Sequence, residues 1–285
     1  MPADATTRPT IRTLPSPEDV AAAAAEEIVR GLATAIDERG IAHWATTGGS
    51  AAPGIYRVLR VPPLRDAVDW GRVHVWWGDD RFVPADHPLS NVLPLTQLLL
   101  DGGDEAGSGA TGVDVAAAGA GVHLPAANLH PVPVSAAIGR GGGPAWAAAA
   151  YAEALVSMVP AADGSAGGVP AFDVIVLGVG PDGHVLSVFP GSAVWDDPST
   201  CAAVPAPTHV EPHVARVTIH PRLLGAAGRV LVVSTGASKA DVLGRAWAGG
   251  DVRELPVRAT FLPNATWLLD EAAAANLPGG DGARR

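Results

Sequence analysis

Short apolar segments that end in a polar or glycine-rich turn recur along this chain of 285 residues, and helical periodicity follows several of the turns. Apolar runs without alternation are typical of strands that are buried on both faces of a sheet. Because such strands alternate here with helices, the pattern predicts an α/β fold with a mostly parallel sheet and helices on both of its faces. The strand-like segments cover residues 41–46, 73–77, 172–178, 229–233 and 266–269.

The chain is predicted to form a single domain, since none of its glycine-, alanine- or proline-rich segments separates two obvious cores. We expect this domain to cover residues 16–277, with an extended segment over residues 1–15 before it and a flexible tail over residues 278–285 after it. The domain begins with a clear helix signal. Ser16 is a suitable N-cap, the proline after it suits the first helical position, and Gly40 is suited to end the helix.

The charge of the chain narrows the classes of partner that it can bind. Its net charge is −10 and it has no cluster of Lys and Arg residues, which disfavours nucleic-acid binding. An acidic protein repels an anionic substrate at long range, so a phosphorylated substrate needs a few well-placed local cations. The search for a site therefore concentrates on individual Arg and Lys residues.

The expected location is the cytoplasm. Cys201 is the only cysteine, so no intrachain disulfide can form, as is usual in a reducing compartment. Residues 1–17 lack the apolar core of a signal peptide, and no run of about 18 apolar residues indicates a membrane span. We expect a monomer or a weak homo-oligomer that does not bind a membrane.

Polar side chains occupy the turns that follow four of the predicted strands. In open α/β sheets, ligands bind in a crevice at the carboxyl ends of the strands. These turns are therefore expected to form one site that combines cations, acids, a histidine and a glycine-rich loop. The side chains concerned are Ser50, Asp79, Arg81, Asp182, His184 and Lys239.

Three features of these turns are suited to a phosphate group. Gly48, Gly49 and Ser50 lie between a strand and a helix, where backbone amides and the helix N-terminus attract anions. Arg81 can donate two hydrogen bonds to a phosphate, and Lys239 can add a point charge. The sequence does not decide which of these two cations is the main phosphate ligand.

His184 is the candidate for proton transfer. An imidazole exchanges protons near neutral pH, which suits a base that activates water or an acid that protonates a leaving oxygen. Either Asp182, two residues earlier, or Asp79, after another strand, is in a position to orient His184. The other histidines, such as His43, have no comparable context.

Two further patterns are interpreted as coincidental. Residues 178–183 match the spacing Gly-x-Gly-x-x-Gly of dinucleotide-binding loops, but a proline and a glycine soon afterwards interrupt the helix that this motif requires. His209 and His213 are possible metal ligands, but Pro212 disfavours the helix that would place them on one face. We expect neither a metal nor a redox cofactor.

Taken together, these motifs resemble those of the 6-phosphogluconolactonase family, and they occur in that family's order over most of residues 16–277. The Asp-Gly-His and Asp-acid-Arg segments are the most specific of them. The matching segments are residues 47–50, 77–84, 90–91, 172–191, 216–218, 235–236 and 239–240, together with Trp267.

The resemblance implies a Rossmann-like sheet that binds a sugar phosphate rather than a dinucleotide. It also implies hydrolysis of 6-phospho-D-glucono-1,5-lactone in the oxidative pentose phosphate pathway, with His184 as the general base on water and Asp182 orienting it. On this reading Asp79 contacts sugar hydroxyls or steadies Arg81, and Arg216 is a further phosphate ligand.

Two alternatives remain on the same fold. A glucosamine-6-phosphate deaminase would usually have Asp-Glu-Tyr at residues 79–81 and Asn-Glu-Pro-Gly within residues 187–191, and both differences favour the lactonase. A non-catalytic regulator that binds a sugar phosphate would keep Arg81 and Lys239 but would not need His184.

Overall fold

The computed structural model describes residues 7–100, 121–162, 164 and 168–278. Ten strands are present in this part of the chain: β1 (Thr10–Leu14), β2 (Ala42–Thr46), β3 (Val73–Trp77), β4 (Asp79–Arg81), β5 (Leu129–His130), β6 (Val174–Gly178), β7 (Cys201–Val204), β8 (Arg216–Ile219), β9 (Arg229–Ser234) and β10 (Ala265–Asp270). Seven of them form one sheet in the order β1-β10-β9-β6-β2-β3-β5. All neighbours in this sheet are parallel, so the predicted α/β class is confirmed.

Helices connect the strands on both sides of the sheet. The α-helices of the described residues are α1 (Pro17–Arg39), α2 (Ala52–Leu59), α3 (Val92–Leu95), α4 (Val134–Gly139), α5 (Pro144–Met158), α6 (Ala240–Ala248) and α7 (Glu271–Ala274). Shorter helical turns cover Arg65–Ala67, Trp70–Arg72, Thr96–Leu100, Ala126–Asn128, Ala193–Asp196, Pro221–Gly225, Ala237–Lys239 and Pro256–Thr260. None of the helices in these ranges combines the length and the apolar character that crossing a bilayer requires.

The first helix has the limits that its sequence predicts. The Ser16 hydroxyl accepts a hydrogen bond from the backbone N–H of Asp19 at 3.1 Å, and Gly40 ends the helix in the left-handed region at φ 77°. The segment before it differs from expectation. Thr10–Leu14 pairs with β10 as an edge strand, so part of the segment expected to precede the domain belongs to its sheet. Of the predicted tail, residues 279–285 lie outside the described residues.

The main sheet is buried on both faces, which explains why its strands read as continuous apolar runs. Trp44 and Trp77 are fully buried in a core that includes α1 and α2. Trp76 and Trp267 are fully buried in a second core that includes α5 and α6. Burial of a large apolar side chain contributes about 1.5–3 kcal/mol, so the two cores together hold the sheet between the helices.

A small antiparallel sheet, in the order β4-β8-β7, stands at the carboxyl end of β3. We predicted a turn at residues 78–81, but only Gly78 separates β3 from β4. The side chain of Leu186 lies so close to Gly78 that a β-carbon there would collide with it. The small sheet brings Arg81 directly opposite Arg216, beside the ends of the main strands.

Candidate active site

The turns at the carboxyl ends of β2, β6 and β9, together with β4 and β8, surround one pocket of about 220 Å³. Sites for drug-sized ligands occupy roughly 300–1,000 Å³, so this pocket is suited to a small metabolite. The structure brings eight of the predicted site residues to its wall: Gly48, Gly49, Ser50, Asp79, Arg81, His184, Arg216 and Lys239. Asp182 lies behind the wall and contacts His184.

His184 and Asp182 form a close pair. Nδ1 of His184 lies 2.5 Å from Oδ1 of Asp182, and the backbone N–H of His184 donates to the same oxygen at 3.1 Å. With Nδ1 engaged in this way, Nε2 is the ring nitrogen that remains for proton transfer. The sequence provides the necessary room, because a β-carbon on Gly180 would overlap the imidazole ring.

The surroundings of Asp182 keep it ionised. Partial burial by itself raises the pKa of a carboxyl group, but the hydrogen bonds and charge of His184 and a hydrogen bond from His209 lower it by more. The pKa of Asp182 therefore lies well below its ordinary value. A carboxylate beside Nδ1 stabilises the imidazolium that forms when a histidine accepts a proton, so this geometry is suited to general-base chemistry.

Arg81 and Arg216 place two guanidinium groups at the pocket. Nη1 of Arg81 donates to the carbonyl of Leu89 at 2.8 Å, and Nη2 of Arg216 donates to that of Pro212 at 3.3 Å. The Nε atoms of both arginines are buried with no hydrogen-bond partner among the described residues. Burial and the positive charge of Arg81 lower the pKa of Arg216, and the negative charge of Asp79 opposes them. The net effect is a pKa below the ordinary value for arginine. Two adjacent guanidinium groups with unused donors are suited to a phosphate.

Lys239 is the only lysine of the chain, and it enters the pocket from the turn after β9. Gly236 starts this turn at φ 89°, and its backbone N–H donates to both carboxylate oxygens of Asp270 at 3.0 Å. The same carboxylate caps α7 by accepting from Ala273 at 2.8 Å. Burial lowers the pKa of Lys239, and the negative charge of Asp182 opposes this effect. The turn is thus tied to β10 at the point where it delivers its cation.

The two neighbouring acids of β4 have different surroundings. Asp79 lines the pocket, and its carboxylate accepts a hydrogen bond from the Ser187 hydroxyl at 2.5 Å. Asp80 points away and accepts from the backbone of Asn91 at 2.7 Å and from the Ser90 hydroxyl at 2.9 Å. Burial raises the pKa of Asp80 to about 6, although these hydrogen bonds lower it. Asp80 therefore holds the loop at Ser90, while Asp79 faces the pocket.

Asn91 explains the glycine at the start of the Gly-Gly-Ser loop. A β-carbon on Gly48 would overlap the side-chain amide of Asn91, whose Nδ2 donates to the carbonyl of Asp79 at 2.9 Å. Gly49 adopts φ 74°, in the left-handed region that favours glycine. The loop leads directly into α2, so its amides lie at a helix N-terminus.

Several pocket residues were not selected from the sequence. Asn91 and Leu186 lie in the matching segments 90–91 and 172–191 but were not selected individually, and no pattern assigned Val210 or Glu211 to a binding pocket. They reach the pocket through loops whose course depends on the whole fold. Leu186 adopts φ 56°, an uncommon conformation for a branched residue and one that is often found at functional sites.

The two patterns judged coincidental take other forms in the structure. Loop residues rather than a helix follow residues 178–183, so a dinucleotide-binding arrangement is not formed there. His213 contacts Glu211 at 3.0 Å, whereas His209 contacts Asp182 at 3.0 Å. Across the described ranges, no group of three or more His, Cys, Asp or Glu side chains is placed to hold a metal ion.

Comparison with known proteins gives a consistent result over nearly the whole chain. The model of a family described as glucosamine-6-phosphate isomerases/6-phosphogluconolactonase matches residues 15–268. A 6-phosphogluconolactonase of Streptomyces coelicolor is 34% identical over 263 residues, which are 92% of this chain and 92% of that protein. One from Mycobacterium tuberculosis is 31% identical over 271 residues, 94% of this chain and 98% of that protein.

A solved structure shows the same likeness in three dimensions. The 6-phosphogluconolactonase from Trypanosoma cruzi superposes with a TM-score of 0.76 at 26% identity. The superposition covers 95% of this chain and 97% of that one. The similarity therefore extends over nearly the whole chain and is not confined to the pocket motifs.

Proposed function

The chain belongs to the glucosamine-6-phosphate isomerase/6-phosphogluconolactonase family, and we propose that it hydrolyses 6-phospho-D-glucono-1,5-lactone to 6-phospho-D-gluconate. The relatives from Streptomyces coelicolor and Mycobacterium tuberculosis carry the name of this enzyme. The reaction opens the lactone of the oxidative pentose phosphate pathway. The observation that carries the proposal is a single pocket that joins the His184–Asp182 pair to three cations.

His184 acts as the general base in this reaction. Its Nε2 takes a proton from a water molecule, whose oxygen attacks the C1 carbonyl of the lactone. The tetrahedral intermediate then collapses, the bond from C1 to the ring oxygen breaks, and the ring oxygen receives the proton from His184. Asp182 holds the ring through Nδ1 and stabilises the imidazolium between the two steps.

The cations bind the phosphate and hold the lactone against the base. Arg81, Arg216 and Lys239 line the same pocket as the Gly48–Ser50 loop, and together they overcome the repulsion of an anion by an acidic protein. Asp79 is left to accept hydrogen bonds from sugar hydroxyls. Fixing the substrate in this way converts the attack of water into a step within one complex.

The reaction is tested by generating the lactone in situ and following ring opening above the spontaneous rate. Wild type is compared with His184→Ala. General-base catalysis contributes about 10²–10⁴-fold, and we expect the variant to lose that factor in kcat while it still binds 6-phosphogluconate. His123→Ala is the matched control, because His123 is an exposed histidine outside the pocket.

Either of two results would contradict the proposal. A wild-type protein that gives no rate above the spontaneous reaction is not a lactonase, and ammonia release from glucosamine 6-phosphate would be measured next. Tight binding of 6-phosphogluconate without turnover would instead indicate a regulator. Near-normal turnover by His184→Ala would refute the role of the base without refuting the reaction.

The proposal extends to the setting of the enzyme. We propose a cytoplasmic protein that acts on a small phosphorylated lactone as a monomer or a weak homo-oligomer. His184 and the three cations of the pocket all belong to the same chain, so the proposed reaction does not depend on a residue of a second subunit. Light scattering over a range of protein concentrations measures the mass. A stable tetramer at low concentration would contradict this part.

A further inference from the structure

The carboxylate of Asp182 is shared by two imidazoles. Its Oδ1 lies 2.5 Å from Nδ1 of His184, and its Oδ2 lies 3.0 Å from Nε2 of His209. His209 belongs to the loop between β7 and β8, which reaches the pocket from a different part of the chain. One of the two partners of Asp182 therefore comes from outside the turn that carries the base.

The ring of His209 has a second, aromatic contact. It packs edge to face on Phe189, with 5.7 Å between the ring centroids. Phe189 also lies 4.6 Å from the ring of His184 and 5.2 Å from the guanidinium of Arg216, measured to the ring centroids. A hydrogen bond to Asp182 and an aromatic contact with Phe189 thus hold the His209 side chain in position, although half of it is exposed.

The geometry points to His209 as a positioning residue for the hydrolysis proposed above: it donates a hydrogen bond from Nε2 to Asp182 and fixes the carboxylate in the orientation that holds His184. The inference rests on the proposed function, because it concerns the same base. The terminal torsion of an aspartate has a broad energy profile, so a carboxylate held at one oxygen alone can rotate. A donor on the second oxygen removes that freedom.

The same hydrogen bond holds part of the pocket wall. Val210 and Glu211 follow His209 directly and both line the pocket. The hydrogen bond of His209 is also one of the interactions that keep the pKa of Asp182 well below its ordinary value. Loss of this hydrogen bond therefore leaves the Asp182 carboxylate less firmly held beside His184. The cations that bind the phosphate remain in place.

Two substitutions separate the hydrogen bond from the ring contact. His209→Gln keeps a side-chain N–H donor and loses the ring, whereas His209→Phe keeps a ring against Phe189 and loses the donor. We expect His209→Phe to lower kcat about tenfold with KM within about twofold, since misplacement of a catalytic group by 1 Å can cost about 10²-fold. His209→Gln is expected to retain most of the wild-type kcat.

Other outcomes would overturn this role. If the ring contact were the contribution of His209, the order would be reversed, with the Phe variant active and the Gln variant impaired. Equal losses in both variants, or wild-type kcat in both, would contradict it as well. The rates are measured well below the thermal midpoint of each variant, so that a loss of kcat is not a loss of folded protein.

A control in the same loop completes the design. His213 contacts Glu211 and the carbonyl of Pro207 rather than Asp182, so His213→Gln should keep the wild-type kcat. A wild-type enzyme that does not hydrolyse the lactone refutes the proposed function itself. An active wild type with a fully active His209→Phe variant refutes only the role of His209.

Discussion

The hydroxyl of Ser187 donates a hydrogen bond of 2.5 Å to Oδ2 of Asp79, across 108 positions of the chain. Both residues are buried, and Ser187 lies three residues after His184. The bond joins the loop that carries His184 to the small sheet that carries the arginines. A buried polar contact therefore ties the two halves of the pocket together.

Ser187→Ala tests this tie. The substitution leaves a buried carboxylate without its side-chain donor, and a buried group without its partner costs about 1–3 kcal/mol. We expect the free energy of unfolding in urea to fall by about that amount and KM to rise. Ser157→Ala is the control, because the exposed hydroxyl of Ser157 contacts only the helix carbonyl of Ala154, and exposed substitutions usually stay within about 0.5 kcal/mol. Equal effects at both sites would contradict the prediction.

Gly180→Ala tests whether the space beside the His184 ring is needed. The new methyl group would overlap the imidazole of His184 and push the ring away from Asp182. We expect kcat to fall by about 10²-fold, as for other displaced catalytic groups, while near-ultraviolet circular dichroism stays close to that of wild type. Gly225→Ala, where a β-carbon meets nothing within 4 Å, should keep wild-type kcat. An active Gly180→Ala enzyme would show that the ring can work from another position.

Lys239 offers a direct test of the phosphate site, because the chain has no other lysine. We expect Lys239→Met to raise KM by about 10–100-fold with a smaller change in kcat, since a hydrogen bond to a charged group contributes about 1.5–3 kcal/mol. Pyridoxal 5′-phosphate carries both a phosphate and an aldehyde that reacts with amines. After borohydride reduction, mass spectrometry should find the label on Lys239, and 6-phosphogluconate should prevent it. Labelling that the product does not affect would contradict this placement.

The pH dependence of stability should reflect three neighbouring histidines on β2, β3 and β5, namely His43, His74 and His130. Burial and the neighbouring histidines lower the pKa of His43 and of His130 to about 4, and burial lowers that of His74. Above a pH of about 6.5, the ordinary pKa of histidine, the three side chains are neutral in the folded and in the unfolded protein. Their contribution to the free energy of unfolding is then fully present. As the pH falls from there towards 4, the unfolded chain binds protons that the folded chain does not, and stability decreases. Asp80, whose pKa is raised to about 6, acts in the opposite direction over the lower part of this range.

His43→Gln isolates one of these contributions. Between pH 6 and 4.5 or so, the slope of the free energy of unfolding against pH should decrease by up to about one bound proton relative to wild type. The contribution of Asp80 is the same in both proteins and drops out of the difference. Urea unfolding at a series of pH values measures the slopes. An unchanged slope would show that His43 does not contribute to acid sensitivity.

The part of the site that could be predicted from the sequence follows one physical rule. His184 and Lys239 were selected because they follow predicted strands, and parallel strands end at one edge of a sheet. Both residues line the pocket. The helix capped by Ser16 was predictable for a similar reason, since its start and stop signals are local.

The remaining features depend on contacts that no local pattern records. Arg216 was selected through the family resemblance alone, because it lies inside a strand that pairs antiparallel with β4. β4 itself was expected to be a turn, since a glycine and charged residues are typical of turns. His209 was weighed as a metal ligand, and its contact with Asp182 exists only once the loop before β8 has folded over the pocket.

The opposition of Arg81 and Arg216 bears on how long each copy of the protein persists in a cell. Like charges directly opposite each other in an antiparallel pair are destabilising. An anion that binds to both arginines would replace their mutual repulsion with attraction to its negative charge. A ligand that binds only the native state raises the stability of the protein as the ligand concentration rises. Quality-control proteases remove proteins according to the fraction that is unfolded. A phosphorylated substrate would thus protect the enzyme that uses it from proteolysis. Enzyme without bound ligand would be degraded faster than enzyme that is occupied.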